Sequence, residues 1–153
     1  MRLALLVFVS LAAATQAGAQ TPAGSGSLAG RERLRVEDCT RDAGSANVAF
    51  TLAANGAWSA SAHGQLYTGT SNTTRRTTRL AFDGASEALL AAHLDDEAED
   101  DCEGSFSLTE LGGTLKVNKR ETRAKLRIDA RGNGVFARGV HAKFRLKAKG
   151  RWN

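Results

Sequence analysis

The sequence predicts an all-β fold of mostly antiparallel strands, either a small β-barrel or a two-sheet sandwich of about eight strands, with one short helix near residues 86–95. Apolar residues alternate with polar ones over many short segments, which is the side-chain period of a strand that has one face in water. Turn-forming residues separate these segments at the spacing of successive hairpins. Only one stretch departs from the alternation, and the helix is expected there.

Five alternating segments precede that stretch. They span residues 33–37, 48–53, 57–62, 66–71 and 75–82. The dipeptide Asn55-Gly56 separates two of them and is typical of a tight hairpin turn, because both residues tolerate a positive φ. A second turn is expected at residues 72–74.

The helical stretch is marked by the spacing of its large side chains. Leu89, Leu90, His93 and Leu94 recur at intervals that place them on one helix face. Residues 83–86 supply capping side chains. The helix is expected to end near Leu94 or Asp95, since the acidic residues that follow oppose the dipole at its C-terminal end.

Alternation resumes in the second half of the chain. The segments there span residues 105–109, 114–118, 123–129 and 140–147. Turns are expected at Gly112-Gly113, at residues 119–121 and at Asn133-Gly134.

The N-terminal residues have the layout of an export signal. Arg2 is followed by an almost wholly apolar run and then by Ala17-Gly18-Ala19, whose small side chains suit a signal peptidase. We therefore predict a signal peptide over residues 1–19, a flexible lead-in over 20–30, and one β-rich domain over 31–153. The mature protein is expected to be secreted or periplasmic.

The predicted export affects the interpretation of the two cysteines. Cys39 and Cys102 are the only pair in the chain, and an even count in an oxidising compartment predicts a disulfide bond. Neither cysteine has the close Cys or His neighbours that are typical of a zinc site.

The net charge of +5 combines two blocks of opposite sign. Residues 83–103 hold nine acidic side chains and no Lys or Arg, whereas residues 114–153 hold thirteen basic and two acidic side chains. Basic residues alternate with apolar ones along the last predicted strands, so they are expected to share one face and to attract an anionic polymer such as lipopolysaccharide or an acidic polysaccharide. The candidate polyanion-binding residues are Lys125, Arg127, His141, Lys143, Arg145 and Lys147. A solvated sheet face without a ligand is the alternative interpretation.

Signals for catalysis or metal binding are weak. The acidic run 95–103 could supply oxygen ligands for calcium but lacks EF-hand spacing. His63, His93 and His141 occur at unrelated spacings, so no metal site is predicted from them. The chain has no nucleophile elbow, P-loop or dinucleotide fingerprint, and we expect no catalytic residues and no cofactor.

These observations favour an exported, non-catalytic binding or structural module of the cell envelope or exterior. The alternatives are a barrel that carries a small apolar ligand and, with less support, an enzyme or an enzyme inhibitor. An outer-membrane barrel is disfavoured because the predicted polar faces are rich in Arg and Ser and the chain has few Trp and Tyr residues for aromatic girdles.

Overall fold

The computed structural model describes residues 22–37, 40–98, 106–134 and 141–153. The predicted signal peptide and both cysteines lie outside these residues, so cleavage and the Cys39–Cys102 disulfide stay predictions. Within the described residues, no helix is both long and apolar enough to cross a bilayer.

Eight antiparallel strands form a closed barrel in which each strand pairs with the next along the chain. They are β1 Gly24–Val36, β2 Thr40–Leu52, β3 Ala57–Ala62, β4 Gln65–Thr74, β5 Thr77–Phe82, β6 Phe106–Val117, β7 Arg123–Gly134 and β8 His141–Arg151. Pairing of β1 with β8 closes the barrel. The predicted all-β class is confirmed. Of the two architectures left open, barrel and sandwich, the structure is a barrel.

Inward-facing apolar residues form one continuous core. Along β8, for example, buried and exposed residues alternate from His141 to Lys149. Phe50 and Trp58 stack with their ring centroids 5.7 Å apart, and Phe82 meets Trp58 edge-on at 4.9 Å. The indole Nε1 of Trp58 donates to the carbonyl of Thr70 at 2.9 Å, so the buried nitrogen keeps a partner.

The first strand begins earlier than the sequence predicted. Residues 24–30, assigned to a flexible lead-in, form the first half of β1. The error follows from the small side chains there, which show no alternation of polarity. At Gly30 a Cβ would lie 1.8 Å from the carbonyl oxygen of Lys147, so this part of the β1–β8 seam depends on a residue without a side chain.

Three predicted turns lie within strands. Residues 72–74 belong to β4, Gly112-Gly113 to β6 and Asn133-Gly134 to β7. Strand β6 instead contains a register shift between Leu108 and Glu110. Glycine and asparagine permit a turn, but pairing along the adjacent strand decides whether one forms.

The Asn55-Gly56 hairpin is confirmed, although its turn has a different geometry. The amide of Gly56 donates to the carbonyl of Ala53, and only Gly56 has a positive φ, of 90°. The turn with positive φ at both central residues is His63-Gly64, between β3 and β4. It therefore has the backbone signs of a type I′ turn.

The helix α1, Gly84–Ala98, lies between β5 and β6 and contacts β4 and β6. It extends beyond the predicted range 86–95 at both ends. Asp83 caps its N-terminus by accepting from the amide of Ser86 at 2.8 Å. At the C-terminal end, the last turn of the helix brings Glu97 Oε1 to 3.1 Å from His93 Nε2. Leu90 and Leu94 are buried in the barrel core.

Candidate functional site: a cationic groove and an interior histidine–glutamate cluster

Basic side chains cover the outer face of three adjacent strands in a regular grid. Antiparallel pairing places Arg31, Arg33 and Arg35 of β1 opposite Lys147, Arg145 and Lys143 of β8. On its other side, β8 pairs with β7, so that Arg127 and Arg131 stand opposite Lys147 and Lys143. All of these side chains are exposed.

The grid lines a groove on the outside of the barrel with a volume of about 1270 Å³. Nine basic and two acidic side chains line it, an excess of seven positive charges. The basic residues are Arg31, Arg33, Arg35, Arg79, Arg127, Arg131, Lys143, Arg145 and Lys147. Seven of the nine are arginines, whose planar guanidinium can hold a phosphate, sulfate or carboxylate group through two parallel hydrogen bonds.

One acidic residue, Asp129, lies at the centre of the grid. Arg127 and Arg145 both donate to it, at 2.5 Å and 2.7 Å. Burial acts to raise the pKa of Asp129, but these hydrogen bonds and the two positive charges outweigh it and hold the pKa below its usual value. Asp129 therefore stays ionised at neutral pH and orients two arginines.

Most of the other cations in the groove have no acidic partner. Arg131 lies 3.7 Å from Glu110. Six basic residues make no ion pair with any residue that the structure describes: Arg31, Arg33, Arg35, Arg79, Lys143 and Lys147. Like charges directly opposite each other on paired strands destabilise a sheet. This arrangement costs stability in the free protein and suits an anionic ligand.

Four of the six sequence-predicted residues line the groove: Arg127, Lys143, Arg145 and Lys147. Lys125 and His141 are on the same outer face but outside the groove, Lys125 opposite Lys149 and His141 opposite Asn133. His141 contacts the Asn133 side chain at 3.1 Å.

Sequence reasoning missed the three arginines of β1 and also Arg79 and Arg131. The alternation of Arg33 and Arg35 with Leu34 and Val36 was visible, but their place beside β8 depends on closure of the barrel. Residues 99–103 of the acidic run lie outside the described part of the chain, so calcium binding by the run 95–103 stays untested.

A second group of polar residues lies at the end of the barrel where α1 docks. Glu32 faces inward from β1 and is only 8% exposed. The Nε2 of His63, in the β3–β4 turn, lies 2.5 Å from Glu32 Oε2. His93 of α1 stacks on His63 with ring centroids 3.8 Å apart, and its Nε2 lies 4.0 Å from Glu32 Oε1. We call Glu32, His63 and His93 the interior cluster.

Two further residues border the interior cluster. Glu97 lies 3.1 Å from His93 Nε2 and is close enough to Glu32 to affect the pKa of its carboxyl group. The Tyr67 hydroxyl lies 3.4 Å from His63 Nδ1. Burial, together with the charges of Glu32 and Glu97, raises the pKa of Tyr67 to about 12, so its hydroxyl stays protonated at neutral pH.

The protonation of the interior cluster follows from its surroundings. Burial acts to raise the pKa of Glu32, but the hydrogen bond and charge of His63 and the charge of His93 outweigh it and lower the pKa. Burial and the neighbouring His63 lower the pKa of His93. At neutral pH, Glu32 is therefore a carboxylate and His93 a neutral imidazole.

This cluster was only weakly indicated by the order of residues in the chain. The spacings of His63, His93 and His141 predict no metal site, and the structure places His141 apart from the other two, on the outer face. Glu32 was not singled out, although it lies two residues before Leu34 on the apolar side of β1. The available signal was a charged residue at a position where the alternation predicts a buried apolar residue.

Comparison of the chain with protein-family models, with curated proteins and with solved structures found no match.

Proposed function

We propose that this protein is an exported, non-catalytic binding module that holds an anionic polymer in the cationic groove. The observation that supports the proposal is the excess of seven positive charges along one continuous concave surface. Cations repeat about 7 Å apart along each strand and about 5 Å apart between strands. A chain of phosphate, sulfate or carboxylate groups can therefore meet several of them at once.

The groove favours an anionic polymer over an apolar ligand. An interior cavity lined by Tyr67, Leu90 and other core residues measures only about 20 Å³, whereas pockets for small organic ligands span roughly 300–1,000 Å³. The alternative of an apolar-ligand carrier gains no support from this cavity.

The proposal is tested with heparin as a model polyanion, and with lipopolysaccharide and an acidic polysaccharide as separate arms. Wild-type affinity should fall at least tenfold between about 50 and 200 mM salt, because binding releases counterions from the polymer. The variant Arg31→Glu, Arg33→Glu, Arg35→Glu should bind at least tenfold more weakly than wild type at the lower salt concentration.

The same variant should bind polyanion more weakly but be more stable than wild type. Each new glutamate would stand opposite Lys147, Arg145 or Lys143. Like-charge pairs would then become opposite-charge pairs, and the free energy of unfolding should rise by a few tenths of a kcal/mol for each pair.

The matched control for the binding test is Lys119→Glu, Arg120→Glu, Arg123→Glu, which changes the net charge equally outside the groove. Equal loss of binding in both variants would show that only net charge matters, and unchanged binding in the groove variant would refute the proposal.

A further inference from the structure

We propose that Glu32, His63 and His93 bind a divalent transition-metal ion of the zinc class inside the barrel mouth. The three side chains each offer one donor atom, and these atoms all lie within 4.8 Å of one another. Two imidazole nitrogens and one carboxylate oxygen form a donor set that zinc accepts in proteins. The site is separate from the cationic groove and does not depend on the proposed function.

Three different elements bring the donors together. Glu32 comes from β1, His63 from the β3–β4 turn and His93 from α1. Bound zinc places its ligand atoms roughly 3.3 Å apart in tetrahedral geometry. His63 Nε2 and His93 Nε2 face different oxygens of Glu32, Oε2 at 2.5 Å and Oε1 at 4.0 Å. With one donor atom from each residue, all within 4.8 Å of one another, the atoms would approach by at most about 1.5 Å on binding zinc.

One donor atom of the cluster is buried without a hydrogen bond. His93 Nε2 has no hydrogen-bond partner among the described residues, although Glu97 Oε1 is 3.1 Å away. An unpaired buried nitrogen costs free energy unless something accepts or shares its lone pair. A metal ion at this point would use that lone pair.

The surroundings supply the outer contacts that metal ligands require. A ligating histidine usually donates its second ring N–H to a neighbouring group. His63 has the hydroxyl oxygen of Tyr67 on its Nδ1 side, 3.4 Å away. Glu97, near both Glu32 and His93, is positioned to serve as a fourth ligand or to hold His93. A cation would also separate the two carboxylates, which repel each other when both are ionised.

The backbone of His63 adds an independent observation. Its φ is 56° in a turn where Asn or Gly is the usual residue. A non-glycine residue in this conformation costs roughly 1 kcal/mol or more, so the fold places the imidazole at the barrel mouth against the local preference of the backbone.

Bound metal would act as a clamp. It would tie α1 to β1 and to the β3–β4 turn through its three ligands. We expect zinc to raise the thermal midpoint of the protein, because an ion that binds only the folded state stabilises it.

The test measures zinc by equilibrium dialysis against the full mature protein, with magnesium and calcium as comparison ions. Wild type and His141→Gln, whose residue lies on the outer face, should each retain one zinc per chain. His93→Gln and Glu32→Gln should each bind zinc at least tenfold more weakly. His63→Asn keeps a residue suited to positive φ while removing the ring, so a folding defect is least expected there.

Cobalt(II) absorption of the wild-type protein provides a second measurement that needs no variant. Intense visible bands, lost in His63→Asn, would support a four-coordinate site made by the cluster. The weak spectrum of hydrated cobalt, or zinc retention equal in wild type and in all three cluster variants, would overturn the proposal.

Discussion

Arg75 has a backbone conformation that glycine adopts at lower cost. It lies in the two-residue connection between β4 and β5 with φ at 59°, and its side chain is exposed. In this left-handed region the Cβ of an L-residue approaches the following carbonyl oxygen. His63 and Glu121 also have positive φ, but His63 is held in the interior cluster. A substitution at Arg75 therefore measures the free-energy cost of the left-handed backbone conformation itself.

We expect Arg75→Gly to stabilise the protein by about 0.5 kcal/mol, because relief of the left-handed strain exceeds the greater entropy of glycine in the unfolded chain. The measurement is the urea midpoint of unfolding. Arg76→Gly is the matched control, since Arg76 does not have a positive φ, and it should lower the midpoint. Lower stability in both variants would contradict this account of the turn.

The docking of α1 depends on a short polar network at its N-terminus. Asp83 accepts from the backbone amide of Ser86 and from the hydroxyl of Thr68. The Ser86 hydroxyl in turn accepts from the Thr68 amide at 2.7 Å, so the helix cap and β4 share hydrogen bonds. These bonds fix the start of the helix and, with it, the placement of His93 over the barrel mouth.

Asp83 should make the stability of the protein dependent on pH. Hydrogen bonds from Thr68 and Ser86 lower the pKa of Asp83 in the folded state, so its contribution is present above the unfolded pKa of about 3.9 and is lost as the pH falls through the folded value. Urea unfolding of wild type and Asp83→Asn should differ most at neutral pH and converge below about pH 4. A constant difference across this range would mean that the ionised carboxylate is not the source.

Closure of the barrel brings together the strands that carry the two proposed sites. Strand β1 pairs with both β2 and β8, so residues at opposite ends of the sequence become neighbours. Outward residues of β1 complete the cationic groove, while the inward Glu32, between Arg31 and Arg33, enters the interior cluster. Both proposed sites therefore depend on the same seam.

The variant Gly30→Ala tests how strongly the barrel depends on close pairing of β1 with β8. A Cβ at Gly30 would collide with the backbone of Lys147 and Ala148, and we expect the substitution to lower the free energy of unfolding by about 3 kcal/mol. Gly44→Ala is the control on the neighbouring strand, because the nearest atom to its Cβ would be Glu32 Cγ at 4.0 Å. The free energy of unfolding should be nearly unchanged in that variant. Equal stability of both variants would show that the seam can adjust.

Polarity patterning predicted much of the fold because it is a local property. The alternation around Phe50, Trp58 and Phe144 predicted strands, and those residues are buried in the barrel core. Side-chain size and turn chemistry were less informative. Residues 24–30 lacked alternation yet form part of β1, while Gly112-Gly113 suggested a turn but lies within β6.

By itself, the sequence determined the all-β class, the position of helix α1 and the concentration of positive charge on the last strands. These features follow from the spacing of polar, charged and apolar residues within each segment, which can be seen without knowing the rest of the structure. Only the tertiary structure decided that the sheet closes, that Arg31, Arg33 and Arg35 complete the groove, and that Glu32, His63 and His93 converge. Those contacts join residues from distant parts of the chain, and the order in which strands pair sets them.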